Sequence, residues 1–264
     1  MASFTSGGVR IAYDDVIPAG GAERTIVLIH GFASNRNEGW KRTGWYQAFE
    51  RRRMRVIALD QRGHGEGEKL HDPDAYRREK LAGDVLALMD HLGVPRADVF
   101  GYSMGTRTAL AVALAAPERV SNLILGGVGG KLLEPSPAVV GESMADAMLA
   151  EDPSTITEPM LRSFRQFADE QGEDRQALAA ITRVTNPPLD RAAMAALPTP
   201  VLVVAGLGDT TAGDPEALSC IFPHGRAVTI AGCDHFSAIP HALTKAAVFD
   251  FLDGLLDDDF PPFE

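Results

Sequence analysis

The stretch Val99-Phe100-Gly101-Tyr102-Ser103-Met104-Gly105 joins an apolar segment to the Ala- and Leu-rich residues 109–116. This order predicts a strand, a sharp turn and a helix. A serine at such a turn takes a strained backbone conformation that holds its hydroxyl clear of the sheet, and the residues two before and two after it must be small. Gly101 and Gly105 meet that need. Ser103 would begin the helix, where free N–H groups favour negative charge; the alternative is that it only caps the helix.

Apolar segments alternate with helical ones along the rest of the chain. Residues 25–29, 55–60, 120–125 and 201–205 are predicted buried strands, because each is a nearly continuous run rich in Val, Ile and Leu. Shorter strands are predicted at residues 9–13 and 227–230, and helices at residues 46–53, 75–92 and 240–256. Strands that alternate with helices form parallel sheets, so the predicted fold class is α/β with a mostly parallel, doubly wound sheet.

Residues 131–196 interrupt this alternation. They contain six prolines, several Met and Phe residues and short helical patterns such as residues 157–170, and they show no strand pattern. We therefore predict a small helical cap at residues 131–196, inserted into a core formed by residues 1–130 and 197–264.

Composition limits the classes of function. A chain of 264 residues that is 45% hydrophobic is long enough for one large α/β domain. Its net charge of −11 argues against binding to nucleic acid or to anionic membranes. The cysteines, Cys220 and Cys233, are too few for a disulfide framework, which favours a cytoplasmic protein with reduced thiols. Residues 1–8 do not resemble a signal peptide, and no apolar run is long enough to span a membrane.

The histidines lack the spacing of metal ligands, and no phosphate-binding P-loop is present, so neither a metal nor a cofactor is expected. The acidic end of the chain, residues 256–264, is expected to be solvated and frayed. With nucleic acid, membranes, metals and cofactors not expected, the expected partner is a small-molecule substrate. The sequence does not indicate the oligomeric state.

Four candidate site residues lie directly after predicted strands. Phe32, Ser103, Asp209 and His235 each come just after a strand. Ligands of parallel α/β sheets bind beyond the carboxyl ends of the strands, so these residues should meet at one edge of the sheet.

The order of serine, acid and histidine, on this alternation of strands and helices, resembles the α/β-hydrolase fold family, and specifically its esterase-like serine hydrolases. The resemblance implies that Ser103 is a nucleophile. It also implies that His235, in Gly232-Cys233-Asp234-His235-Phe236, is the base that takes the serine proton. The acid would be Asp209, in Ala205-Gly206-Leu207-Gly208-Asp209, which would hold the imidazole tautomer.

Asp214 competes with Asp209 for the role of the acid. Asp214 precedes Pro215, a pair that is typical of a helix start. Some family members carry the acid after an earlier strand, but the corresponding residues 126–130 contain no carboxylate. Both observations favour Asp209.

The resemblance also implies an oxyanion hole made by the backbone N–H groups of Phe32 and Met104. Their side chains would form apolar walls. His30 and Gly31 precede this loop, and His30 either positions it or is only a turn residue. Residues 60–65, which include His64, resemble a family loop that is mainly structural. Thr106 stands where many members carry glycine, which predicts slightly looser packing behind the turn.

These residues predict a serine hydrolase that cleaves a small to medium, largely apolar carboxylic ester. The substrate site would be lined by the apolar cap residues Met144, Met148, Phe164 and Phe167. The alternative is that at least half of them only pack the cap onto the core. A serine at the nucleophile position argues against dehalogenases and most epoxide hydrolases of this fold, which use aspartate. Hydrolysis of a carbon–carbon bond in a diketone-like substrate and cofactor-free perhydrolysis would use the same triad. A ligand receptor on this fold is the alternative that is not an enzyme.

Overall fold

The computed structural model describes residues 2–134 and 142–256. Eight strands form one sheet in the order β1-β2-β4-β3-β5-β6-β7-β8. Their bounds are β1 Ala2–Ser6, β2 Val9–Val16, β3 Arg24–Ile29, β4 Met54–Leu59, β5 Ala97–Tyr102, β6 Val120–Gly126, β7 Val201–Gly206 and β8 Gly225–Ile230. The β1–β2 and β2–β4 pairs are antiparallel. All later pairs are parallel, which confirms the predicted mostly parallel sheet.

Strand β1 was not predicted from the sequence. Its register places Phe4 opposite Ile11 of β2, but most of its residues are exposed. An edge strand that buries few side chains lacks the apolar run on which the prediction depends.

Helices cover both faces of the sheet. Their bounds are α1 Trp45–Arg51, α2 Arg78–His91, α3 Met104–Ala115, α4 Met144–Leu149, α5 Pro159–Gln171, α6 Arg175–Thr182, α7 Arg191–Ala195, α8 Pro215–Ser219 and α9 Ala242–Leu252. Short helical turns occur at Asn37–Lys41, Pro73–Tyr76, Pro117–Arg119, Gly130–Leu133 and Pro153–Thr155.

The strands alternate their side chains between two apolar clusters. On one face, Val27 and Ile29 pack with residues of α2, α3 and α8. On the other face, Ile26 and Leu28 pack with residues of α1 and α9. This alternation follows from the two-residue period of a strand, and it accounts for strands that are apolar at every position.

The predicted helix over residues 75–92 is divided in the structure. Pro73–Tyr76 forms a single turn, and α2 begins only at Arg78. Arg77 between them has an extended ψ of 142°, which breaks the helix. The Arg78 N–H donates to the side chain of Asn186, so the start of α2 is tied to the segment that precedes α7.

The residues of the predicted cap that the structure describes contain helices and no strand. Met148 of α4, Ala168 of α5 and Leu178 of α6 share one apolar cluster, and this cluster also contacts Phe32 beside the sheet edge. Helix α7 differs, since its Met194 packs into the core. The division at residues 131 and 196 stays a prediction, and Pro135 and Pro137 lie outside the described residues.

The last helix is shorter than the predicted residues 240–256, because His241 caps it at Ala242 and it ends at Leu252. Residues 257–264, on which the expectation of a frayed end falls, are outside the described part of the chain. Within residues 2–134 and 142–256, no helix is long and apolar enough to cross a membrane.

Candidate functional site

Ser103 lies at a sharp turn between β5 and α3. Its backbone has φ 54° and ψ −117°, a conformation that side-chain-bearing residues rarely adopt. A Cβ atom on Gly101 would lie 2.4 Å from the carbonyl oxygen of Gly105. A Cβ on Gly105 would lie 2.2 Å from the carbonyl oxygen of Ile29. Both flanking positions therefore require glycine, because only glycine lets β3, β5 and α3 approach this closely.

Thr106 stabilises this turn, which the sequence analysis did not anticipate. Its side chain is fully buried, and its hydroxyl lies 3.0 Å from the carbonyl oxygen of Gly101 and 3.1 Å from that of Gly126. The departure from glycine adds a hydrogen bond between α3 and the strand ends. Thr106 therefore makes a contact that a glycine would lack, and the expected looser packing stays a prediction.

The structure brings Ser103, His235 and Asp209 together at the carboxyl edge of the sheet. His235 follows β8, and its Nε2 atom lies 2.9 Å from Ser103 Oγ. Its Nδ1 atom lies 2.7 Å from Asp209 Oδ2, in the loop after β7. The three residues form a continuous line of hydrogen bonds, with the imidazole between a hydroxyl and a carboxylate.

The surroundings of Asp209 keep its carboxylate ionised. Burial alone would raise its pKa, but hydrogen bonds from His235 and Thr211 outweigh this effect and hold the pKa below its usual value. Asp209 Oδ1 accepts from the Thr211 N–H at 2.9 Å, the Thr211 hydroxyl at 2.6 Å and the Ala212 N–H at 3.1 Å. Oδ2 is left to face the imidazole.

Two further residues hold the histidine, and the sequence analysis missed both. The Thr211 hydroxyl lies 3.1 Å from His235 Nδ1. The Tyr102 hydroxyl donates to the carbonyl oxygen of His235 at 2.7 Å, and burial raises the pKa of this phenol. Tyr102 occupies a position of the Gly-x-Ser-x-Gly motif at which any residue is allowed, so the motif did not indicate its contact with His235. The position of Thr211, two residues after the acid, is the only hint of its role.

Asp214 is separate from this arrangement. It caps α8, where its Oδ1 accepts from the Glu216 N–H at 2.9 Å. The helix start that the sequence predicted at this position is therefore present, and Asp209 is the carboxylate that contacts His235.

The loop after β3 passes directly over the serine. A Cβ on Gly31 would lie 3.2 Å from Ser103 Cβ, so the backbone approaches the turn closely. Phe32 follows in this loop, Met104 is the first residue of α3, and both line the same cavity as Ser103. Within the described residues, neither of their backbone N–H groups donates to another protein group. Each of these two residues thus has a free N–H donor and lines the cavity that contains Ser103.

His30 links this loop to the rest of the core. Its Nε2 accepts from the Gln61 N–H at 3.0 Å, so its Nδ1–H donates to the Gly31 carbonyl oxygen at 2.8 Å. The Gln61 side chain continues the link, since its amide donates to the His30 carbonyl and its oxygen accepts from Thr108 of α3. Burial lowers the pKa of His30, which keeps the ring neutral.

His64 lies behind the loop and does not line the cavity. It is fully buried, with its ring centroid 5.0 Å from that of His30 and 6.2 Å from that of Phe32. Its Nε2 has no hydrogen-bond partner among the residues that the structure describes. This placement agrees with a loop that is mainly structural.

A cavity of about 1110 Å³ opens above Ser103. Phe164 of α5 covers it, with its ring centroid 5.9 Å from that of Phe32 and 6.3 Å from that of His235. Met144 also lines the cavity. Met148, by contrast, is buried among the cap helices, and Phe167 packs against Phe236. Two of the four apolar residues that we singled out in the cap therefore face the cavity.

Known proteins are similar to this chain in sequence and in fold. The dihydrolipoyllysine-residue acetyltransferase component of the acetoin cleaving system of Pseudomonas putida is 36% identical over 172 residues, which cover 59% of this chain and 44% of that protein. A 2-hydroxy-6-oxononadienedioate/2-hydroxy-6-oxononatrienedioate hydrolase of Paraburkholderia phymatum is 37% identical over 128 residues, or 46% of this chain and 42% of that protein. The chain thus matches less than half the length of these relatives.

Similarity to a solved structure extends over almost the whole chain. The crystal structure of a hydrolase from Pseudomonas aeruginosa PA01 superposes with a TM-score of 0.74 at 27% identity, and covers 95% of this chain and 97% of that one. The family model described as alpha/beta hydrolase fold matches residues 24–168, which include β3, the serine turn and the first cap helices. With the sheet order, the turn at Ser103 and this match in agreement, the chain belongs to the alpha/beta hydrolase fold family.

Proposed function

We propose that this protein is a serine hydrolase that cleaves a carboxylic ester through an acyl-enzyme on Ser103. One observation carries the proposal: the imidazole of His235 lies 2.9 Å from Ser103 Oγ and 2.7 Å from Asp209 Oδ2. A serine hydroxyl needs an adjacent base to become a nucleophile, and the base needs a partner that fixes its tautomer. These distances meet both requirements.

In the first half of the reaction, Ser103 Oγ attacks the ester carbonyl while its proton passes to His235 Nε2. Asp209 holds the Nδ1 proton and stabilises the imidazolium that forms. The oxyanion of the tetrahedral intermediate would accept from the free N–H groups of Phe32 and Met104. His235 then gives the proton to the leaving alcohol, and the acyl group stays on Ser103.

In the second half, His235 takes a proton from water, which attacks the acyl-enzyme. Collapse of the second tetrahedral intermediate returns the proton to Ser103 Oγ and releases the acid. The substrate groups nearest the serine should be apolar, because Phe32, Met104 and Phe164 line that part of the cavity. The cavity, at about 1110 Å³, is large enough to hold a small to medium ester.

Hydrolysis of a carbon–carbon bond is a second candidate. The Paraburkholderia phymatum relative is named as a hydrolase of 2-hydroxy-6-oxo dienedioates, and its matched part is 37% identical to this chain. The same serine, histidine and aspartate could activate water or attack the ketone of such a substrate. Perhydrolysis with the same triad has no separate observation in its favour.

The deciding experiment labels the protein with a fluorophosphonate and locates the adduct by intact mass and peptide mapping. Hydrolysis of p-nitrophenyl acetate and butyrate is measured in parallel. We expect one adduct on Ser103 and turnover of both esters. Ser103→Ala should stay folded, take no label and lose activity by several orders of magnitude, because the triad acts as a unit. A folded wild-type protein with neither adduct nor turnover would instead support a ligand receptor.

A further inference from the structure

Arg107 shares the cavity with Ser103. It lies four residues after the serine, on α3, and both line the cavity. Residues four apart occupy one face of a helix, separated by about 6 Å along its axis. Helical side chains also lean towards the N-terminus of their helix, which directs Arg107 back towards the serine turn.

The guanidinium of Arg107 is unused by the protein. Among residues 2–134 and 142–256, it forms no hydrogen bond and no ion pair, although five N–H donors are available. Arg78, at the start of α2, lines the same cavity. Its guanidinium donates to the carbonyl oxygen of Pro187 at 2.9 Å, and no described carboxylate pairs with it. Neither arginine therefore forms an ion pair with a described carboxylate, although the negative charge of Glu79, the next residue in the chain, raises the pKa of Arg78 against the effect of burial.

The wider lining of the cavity has the same imbalance. Lys131 and Arg191 also line it, and each donates to a backbone carbonyl and pairs with no carboxylate among the described residues. The lining carboxylates are Glu134 and Asp190, and Asp190 is occupied in capping α7. The cavity thus carries an excess of positive charge in a chain whose net charge is −11.

The two arginines also repel one another. Arg107 is exposed to solvent, but the protein around its guanidinium removes enough water to lower its pKa, and the positive charge of Arg78 lowers it further. The arginine remains charged near neutral pH. Like charges near one another in a partly enclosed site are unfavourable unless an anion lies between them. A bound carboxylate would relieve this repulsion and use the free donors, since a guanidinium fork matches a carboxylate geometrically.

We propose that Arg107 and Arg78 form a carboxylate-binding subsite of the cavity, so that the preferred ester carries an acidic group about one helical turn from its reacting carbonyl. This inference rests on the proposed ester hydrolysis at Ser103. It departs from the largely apolar ester predicted from the sequence: the substrate is apolar where it meets Phe32 and Met104, but anionic at the arginines.

The first test compares esters that carry a carboxylate with neutral esters of similar structure. For the acyl side, 4-nitrophenyl hydrogen glutarate is paired with 4-nitrophenyl 5-methylhexanoate, in which an isopropyl group replaces the carboxylate. For the alcohol side, 4-acetoxybenzoate is paired with 4-isopropylphenyl acetate. Each kcat/KM is divided by the rate constant for hydroxide-catalysed hydrolysis of the same ester, because the leaving phenols differ in acidity. We expect kcat/KM to favour the anion in at least one pair by about 10- to 100-fold at low salt, the range for hydrogen bonds to a charged group. No preference in either pair would overturn the proposal.

The second test assigns any preference to Arg107. Arg107→Met should lower the ratio of anionic to neutral kcat/KM by about 10- to 100-fold, mainly through KM, while Arg107→Lys should keep part of it. Arg51→Met is the matched control, because it removes the same charge from an exposed position outside the cavity lining. The control should leave the ratio unchanged. An equal fall in both variants would indicate overall charge rather than a subsite, and would overturn the proposal.

A binding measurement separates this inference from the proposed reaction. Calorimetry on Ser103→Ala with monomethyl glutarate and methyl 5-methylhexanoate requires no turnover. Tighter binding of the anion, lost in Ser103→Ala with Arg107→Met, supports the subsite even if wild-type protein hydrolyses no ester. Equal binding of the two esters refutes the subsite even if Ser103 is an active nucleophile.

Discussion

Asp209→Asn changes the chemistry of the candidate triad and almost preserves its shape. Asp209 Oδ1 accepts hydrogen bonds from three donors, the Thr211 N–H, the Thr211 hydroxyl and the Ala212 N–H. The asparagine oxygen must stay at that position, because its NH₂ group would otherwise face all three donors. The NH₂ group is then directed at His235 Nδ1, which has to become an acceptor.

This forced change of tautomer places the imidazole proton on His235 Nε2. That atom lies 2.9 Å from Ser103 Oγ and could no longer take the serine proton. The comparable change in a serine protease lowers kcat by about 10⁴-fold. We therefore expect kcat/KM to fall by about 10³- to 10⁴-fold, or ~4–5.5 kcal/mol of transition-state stabilisation.

The assay is hydrolysis of p-nitrophenyl butyrate, with thermal unfolding as the check on folding. Asp214→Asn is the matched control, since it removes a carboxylate from the exposed cap of α8 and should change kcat/KM less than about 3-fold. A loss below 10-fold in Asp209→Asn would refute the reasoning. A larger loss in Asp214→Asn would move the acid to Asp214.

The remaining predictions concern stability. Asp84→Ala should lower the free energy of unfolding by about 3–5 kcal/mol in urea titrations, because Arg62 would lose its buried bidentate partner; a loss under 1 kcal/mol would contradict this. Burial holds the pKa of His64 well below 6.5, so the folded protein binds fewer protons than the unfolded chain. The contribution of neutral His64 to the free energy of unfolding should therefore be fully present above about pH 6.5, and it should fall by up to about 1.4 kcal/mol per pH unit below that pH. His64→Gln should make the free energy of unfolding less dependent on pH, measured by denaturation at pH 5, 6 and 7.5. Gly105→Ala places a Cβ 2.2 Å from the Ile29 carbonyl oxygen, and should lower stability by about 3 kcal/mol or more or give insoluble protein, whereas Gly83→Ala on exposed helix surface should not.

Local patterns were enough to predict most of the sheet. The strands β3, β4, β5, β6 and β7 are apolar at nearly every position because helices cover both faces, and such runs are visible in the sequence. Edge strand β1 and the break at Arg77 were not predicted. Both depend on pairing and on contacts with distant segments, which apolar periodicity does not report.

The sequence by itself determined the turn around Ser103 and the order of serine, aspartate and histidine. It could do so because Gly101 and Gly105 lie four residues apart in one turn and their backbones approach each other directly, and because parallel strands end at the same edge of the sheet. Only the tertiary structure decided the hydrogen bonds of Thr211 and Tyr102 to the histidine, and the grouping of Arg78 and Arg107 in one cavity. Hydrogen bonds and charge repulsion depend on distances of a few ångströms between groups far apart in sequence, and folding alone sets those distances.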